Sequence, residues 1–135
     1  MAAANPISNQ LSKVRRDICI RLPAGLAATT SVLVGRFLRP IKVKGFHFAS
    51  EDAGTSPVFT AKLQASAAED ANKDPGAYAD LCTATSVSAT VGRRVSPAIT
   101  TSDCVATSQL QVVMTRTSGT LGAFLICVEY EEDLD

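Results

Sequence analysis

There is no tryptophan in this chain of 135 residues, one histidine, and few aromatics of any kind, at 5%. Binding of single-stranded nucleic acid calls for stacking rings on a basic surface. With few rings, a net charge of zero and a pI near 6.6, the sequence argues against that function. No apolar run reaches 18 residues, so no segment reads as a membrane-spanning helix. The opening MAAANPISNQLSKVRR lacks the charged and then apolar order of a secretory signal, and no Asn-x-Ser/Thr sequon occurs. Cysteine is sparse and scattered. Cys19, Cys82, Cys104 and Cys127 form no CxxC pair and have one histidine to join them, which excludes a zinc framework. They read as four small, buried, reduced thiols of a protein that folds in a cytosol.

What is present favours strands. Hydrophobic residues are 46%, but 20 positions are alanine, so the large-side-chain core is modest; Thr, Ser and Val are frequent. Length points to one domain able to bury a core. Charge is lopsided. Residues 1–45 carry eight Lys/Arg against Asp17, a balance of +7, and residues 46–135 balance it at −7. Two arrangements satisfy this: basic early strands lie beside acidic late ones within a chain, or opposite patches meet between copies or partners.

Residues 1–15 are small, polar and broken by proline, an arm without a core of its own. From Arg16 the pattern turns to period two, the mark of half-buried strands. Ile18, Ile20 and Leu22 share a face, and Pro23-Ala24-Gly25 ends that strand. Residues 31–38 form a second strand, with Val32 and Val34 in phase, stopped by Pro40. In Ile41-Lys42-Val43-Lys44-Gly45-Phe46-His47-Phe48 the apolar parity is odd through Val43 and even from Phe46. A slip of one residue at a glycine predicts a β-bulge, with Ile41, Val43, Phe46 and Phe48 all facing the core. Residues 51–54 turn the chain. Residues 58–65 follow with Phe59, Ala61 and Leu63 inward. The 66–79 connection has an Ala-rich start suited to a helical turn, 81–91 alternates weakly, and 93–108 is irregular. LQVVMTRT-SG-TLGAFLICVEYEE predicts a hairpin around Ser118-Gly119. Its second strand is apolar on both faces, Phe124, Ile126, Val128 and Tyr130 on one, Ala123, Leu125 and Cys127 on the other. Such a strand is central in a sandwich or covered outside by a neighbouring chain. The expected fold is all-β, an antiparallel, jelly-roll-like β-sandwich of residues 16–135 behind the 1–15 arm.

Motifs that carry chemistry are weak. His47 lies on the strand face opposite Phe46 and Phe48; a Ser-His-Asp set drawn with Asp52 or Asp103 is cheap among so many serines, and no G-x-S-x-G elbow occurs. Glu51-Asp52, Glu69-Asp70 and the acidic tail are neighbours in turns, whereas glycosidase carboxylates face each other across a cleft. Asp70-Ala71-Asn72-Lys73-Asp74-Pro75-Gly76 resembles half a calcium loop, but Pro75 replaces the turn glycine and Leu81 the closing glutamate. These residues are also ordinary turn formers. The expectation is a chain without catalytic residues, metal or cofactor.

The stretch RLPAGLAATTSVLVGRFLRPIKVKGFHFASEDAG, the FTAKLQAS strand and the closing TRTSGTLGAFLICVEY resemble small β-sandwich structural proteins of tailed-phage virions, over residues 16–131. The resemblance implies a capsid decoration (cement) protein, a head fibre base or a tail component; the decoration protein is the reading taken, on the virion surface after assembly in the host cytoplasm. Its implied partners are the major capsid protein and itself, as a homo-oligomer, with a trimer favoured. No catalytic residues come with the resemblance, and the expected partners include no nucleic acid, membrane or small-molecule substrate. Lys13, Arg15 and Arg16 at the arm junction, with Leu121, Ala123, Leu125 and Cys127, are the candidate partner-binding residues. A tail, neck or receptor-binding module is the alternative within virions. Outside them it is a carbohydrate-binding sandwich, for which Tyr78 and Tyr130 supply little stacking surface.

Overall fold

The computed structural model describes residues 13–24, 29–51, 55–87, 90–120 and 122–133. Its strands, in chain order, are β1 (Lys13–Leu22), β2 (Thr29–Phe37), β3 (Ile41–Ser50), β4 (Thr55–Ser66), β5 (Tyr78–Asp80), β6 (Thr85–Ser86), β7 (Asp103–Cys104), β8 (Ser108–Thr120) and β9 (Phe124–Asp133). They form two sheets. The front sheet has the order β1-β9-β3-β7 and the back sheet β2-β8-β4-β5, with β6 also on β4. All pairs are antiparallel. The chain alternates between the sheets from β1 to β4 and again from β7 to β9; β5 and β6 stay in the back sheet with β4 and together fill one strand position. This is the connectivity of a jelly-roll β-sandwich.

The core is the set of inward positions of both sheets. From the front come Ile41, Val43, Phe46, Phe48, Phe124, Ile126 and Val128; from the back come Phe59, Ala61, Leu63, Leu110, Val112 and Met114, all at most 4% exposed. The period-two pattern forms these strands because each then buries one apolar row against the facing sheet. The ring of Phe48 lies 5.3 Å from Phe46 and 5.6 Å from Phe124, centroid to centroid. The expected bulge is present: the β3–β9 register shifts between Val43 and Gly45, and the four predicted apolar residues are buried. Val34 is likewise buried at a register shift in β2, beside the half-buried Val32.

Four local expectations are corrected. Residues 108–133 are not a hairpin. β8 runs through Ser118-Gly119 and pairs with β2 and β4, whereas β9 pairs with β1 and β3 in the other sheet. Gly119, at φ 75°, lies in an irregular end of the β4–β8 ladder instead of a turn. The physical reason is that the apolar rows of β8 and β9 face each other across the sandwich, which buries both. Residues 81–91 are no continuous strand, since Leu81 and Cys82 leave the ladder to fill the core. The Ala-rich 65–71 stretch forms no helical turn. β4 runs to Ser66, and Ala67 N–H then bonds Ala77 C=O at 2.8 Å, closing the connection on itself. The β1 ladder begins at Lys13 opposite Asp133, inside the segment assigned to the arm. Residues 1–12 and the 52–54 turn lie outside the described residues.

Candidate interaction surface on the front sheet

The outer face of the front sheet is built from three strands in register. One row runs Cys19–Cys127–His47 from β1 through β9 to β3; the next runs Arg21–Leu125–Ala49. Cys19 and Cys127 are joined by a disulfide, with Cα atoms 4.1 Å apart. This is the close spacing of a non-hydrogen-bonded antiparallel pair, where side chains approach most nearly. Cys19 is exposed and Cys127 half-buried. His47 lies between two partners: Ser96 Oγ is 2.8 Å from Nδ1, and Glu129 Oε1 is 2.9 Å from Nε2. The Phe48–Val95 bridge brings Ser96 there, because a residue flanking an inward pair points outward. Gly45 leaves the ring its place. A Cβ there would stand 2.9 Å from His47 Nε2. Beside this set is a shallow hollow of about 120 Å³, lined by His47, Phe48, Ala49, Arg94, Leu125 and Cys127.

Among the described residues, the hydroxyl–imidazole–carboxylate chain is the one chemically suggestive set on this face; its acid is Glu129, not Asp103, and Asp52 lies outside the described residues. Geometrically it ties the 90s segment to two strands of the sheet, β3 and β9. Asp103 is instead 3.6 Å from Lys42. Asp70 Oδ1 accepts the N–H groups of Asn72 at 2.8 Å and Asp74 at 3.0 Å, so the calcium-like residues make an Asx turn. No group of three or more His, Cys, Asp or Glu suited to a metal occurs among the described residues.

No protein-family model matches the sequence, and no curated protein matches it. Solved structures do. A chain of the cyanophage Pam1 capsid asymmetric unit is similar with a TM-score of 0.54 at 12% identity, over 89% of this chain and 84% of that one. The infectious bursal disease virus Gx strain structure is similar with a TM-score of 0.47 at 7% identity, over 90% of this chain and 38% of that one. The likeness to the cyanophage chain is one of fold and agrees with the jelly-roll order read from the ladders.

The candidate partner-binding residues are spread unevenly on this frame. Leu125 and Cys127 line the hollow, half-buried. Ala123 is a correction: at 6% exposure, just before β9 begins, it offers almost no surface. Leu121 lies outside the described residues. Lys13 sits at the end of the β1–β9 ladder, Arg15 is exposed opposite Glu131, and Arg16 is 3.1 Å from Glu132. The charge asymmetry closes substantially within the chain. Arg16–Glu132, Arg21–Glu51, Arg36–Glu69 and Lys42–Asp103 each join the basic early segment to the acidic remainder.

The cysteine reading is also corrected. Two of the four are bonded to each other, so the expectation of four reduced thiols fails; Cys82 and Cys104 are free and buried. Burial, with a smaller push from Asp103, raises the Cys104 thiol to about 11, and burial raises Cys82 as well. Both are therefore held as inert thiols at neutral pH. A signal for the bond was present: Cys19 is out of phase with Ile18 and Ile20, and Cys127 with Ile126 and Val128, so both point outward. Tyr130 is 7% exposed and edge-on to Phe37 at 4.9 Å, while the Tyr78 hydroxyl donates to Gln109 Oε1 at 3.0 Å. Tyr130 thus has little ring face free for a sugar.

Proposed function

We propose that this chain is a capsid decoration (cement) protein of a phage virion, which binds and stabilises the major capsid shell as a homo-oligomer, a trimer by preference. One observation carries the reading. The jelly-roll sandwich resembles a chain of a cyanophage capsid asymmetric unit over 84% of that chain's length, a likeness to a chain of similar extent rather than to a domain of a larger one. The face we assign to partners is the Leu125–Cys127 hollow, with Arg94 in its lining and Arg21 opposite Leu125 on β1. It offers an apolar centre within charged edges, the usual anatomy of an interface. Stable interfaces bury about 1,200–2,000 Å² in total, so this face needs help from neighbouring strands or residues N-terminal to them. The chain then acts without catalysis, and Ser96–His47–Glu129 is a structural tie. Its place is the virion surface, after assembly in the host cytoplasm.

The test is co-sedimentation with DNA-free capsid shells, together with a light-scattering mass of the free protein. Binding by the wild type and its loss in Leu125→Glu, with the sandwich still folded, supports the proposal. A monomer that fails to bind shells ends it, and immunogold labelling at the tail would move the protein to the neck-or-tail alternative.

A further inference from the structure

We infer that the Cys19–Cys127 bond is a thiol-exchange site with a built-in direction: an incoming thiolate attacks Cys19 Sγ and Cys127 Sγ leaves. The inference concerns the free chain and stands apart from the capsid reading. It begins with position. β1 is an edge strand, paired with β9 on one side, and no strand pairs with its other side among the described residues. Cys19 on that edge is exposed. Cys127 is on an interior strand, half-buried, with β1 on one side and β3 on the other. Displacement at sulfur needs approach from behind the sulfur attacked, opposite the bond that breaks. Behind Cys19 lies the open edge of the sheet. Behind Cys127 lies the next strand, with His47 directly opposite in the ladder. Access, which governs which sulfur of a disulfide is attacked, therefore selects Cys19.

The leaving side is furnished too. His47 and Cys127 line one hollow together with Arg94. The imidazole is held by Glu129 Oε1 at 2.9 Å and Ser96 Oγ at 2.8 Å. A neighbouring arginine or protonated histidine favours a cysteine thiolate over its thiol, and a better leaving thiolate departs faster. The titratable and charged groups around this sulfur are His47 and Arg94 at the hollow and Glu129 two residues along β9. Asp17 lies opposite Glu129 on β1, and Arg21 lies one outward position beyond Cys19. The buried Cys82 and Cys104 take no part.

The step balances as follows. A low-molecular-weight monothiol, as thiolate, bonds to Cys19 Sγ. The electron pair of the old S–S bond leaves on Cys127 Sγ, which then takes a proton. A second monothiol attacks the outer sulfur of the mixed disulfide and frees Cys19 as thiolate. The two thiols emerge as their own disulfide, having supplied the two electrons. In the intermediate, β1 is detached covalently from β9 while its ladder hydrogen bonds remain.

The experiment treats the folded, full-length protein with excess glutathione, quenches with acid, and maps adducts by peptide mass spectrometry. The expected first product carries glutathione on Cys19 and a free thiol on Cys127, in at least about tenfold excess over the reverse product. In guanidinium-unfolded protein that preference disappears. Equal adducts in the folded protein, a preference for Cys127, or a preference that survives unfolding would each overturn the inference, as would purified, air-exposed protein with four free thiols. His47→Gln is expected to slow the first step about three- to tenfold, by the dependence of exchange on the leaving thiol. Equal rates in wild type and His47→Gln would remove His47 from the mechanism and refute that part of the proposal.

Discussion

The outer faces of the two sheets are made of different material, although both sheets bury the same kind of core. On the back sheet, Thr60, Lys62, Gln64 and Gln111 turn outward, and a side-chain chain runs across the strands. Gln111 Nε2 donates to Gln64 Oε1 at 2.8 Å, Gln64 Nε2 donates to Asp80 Oδ1 at 2.7 Å, and Lys62 Nζ is 3.1 Å from Asp80. On the front sheet the equivalent layer is a disulfide, a histidine tie and a half-buried leucine. The back face is held by interchangeable polar contacts, each worth little in water. The front face is held by specific groups, a disulfide and an imidazole seated between two partners. A single substitution should therefore be felt more strongly on the front.

The largest effect should not distinguish the sheets at all. Phe124→Ala from the front and Leu63→Ala from the back, both essentially unexposed, should each cost about 2–5 kcal/mol in urea unfolding. A negligible loss at either site would break the picture of one shared core. Next, Cys127→Ser removes a cross-link between residues 108 apart in sequence and should cost about 2–4 kcal/mol relative to the oxidised protein. Adding reductant to the wild type should reproduce most of that loss, and identical stability with and without reductant would deny the front sheet its covalent tie. Gly45→Ala comes third. The new Cβ meets His47 Nε2, so the ring must move off Glu129, at about 1 kcal/mol for the lost hydrogen bond. In a Gly45→Ala/His47→Gln double mutant the two losses should fall short of additive. On the back sheet, Gln111→Ala should cost about 0.5–1 kcal/mol, and a larger loss would level the two faces.

The smallest effect is one of pH. The hydrogen bond from Gln64, and then Lys62, hold the Asp80 carboxyl below its ordinary 3.8. A carboxyl lowered by folding contributes stability above its unfolded value, and that contribution is lost as pH falls through the lowered one. Asp80→Asn should thus slightly reduce stability at neutral pH and flatten its acid dependence below about pH 4. If the acid dependence is the same in both proteins, the back-sheet chain carries no weight in solution.

These two faces also differ in how far they could be read in advance. Back strand β4 has clean alternation, Phe59, Ala61 and Leu63 against Thr60, Lys62 and Gln64, and its facing was legible. So was the bulge at Gly45, because a parity slip is written in consecutive residues. The β8–β9 pairing was not. Adjacent apolar runs around Ser-Gly are local evidence for a hairpin, but the rows of β8 and β9 bury more surface by facing across the sandwich. The candidate surface was half legible. Leu125 and Cys127 were picked out as an outward apolar pair, but Cys19, His47, Ser96 and Glu129 come from segments distant in sequence. Their proximity follows from the register of three strands.

Period-two patterning, turn residues and composition were enough by themselves to decide that the chain forms strands, which side of most strands is buried, and that two sheets enclose one core. Those properties depend on neighbours along the chain and on the transfer of apolar side chains from water. Tertiary structure alone decided which strands pair, that Cys19 meets Cys127, and that one histidine bridges a serine and a glutamate. Such contacts depend on where distant strands fall beside one another, and the register that sets this emerges only when the whole sandwich closes.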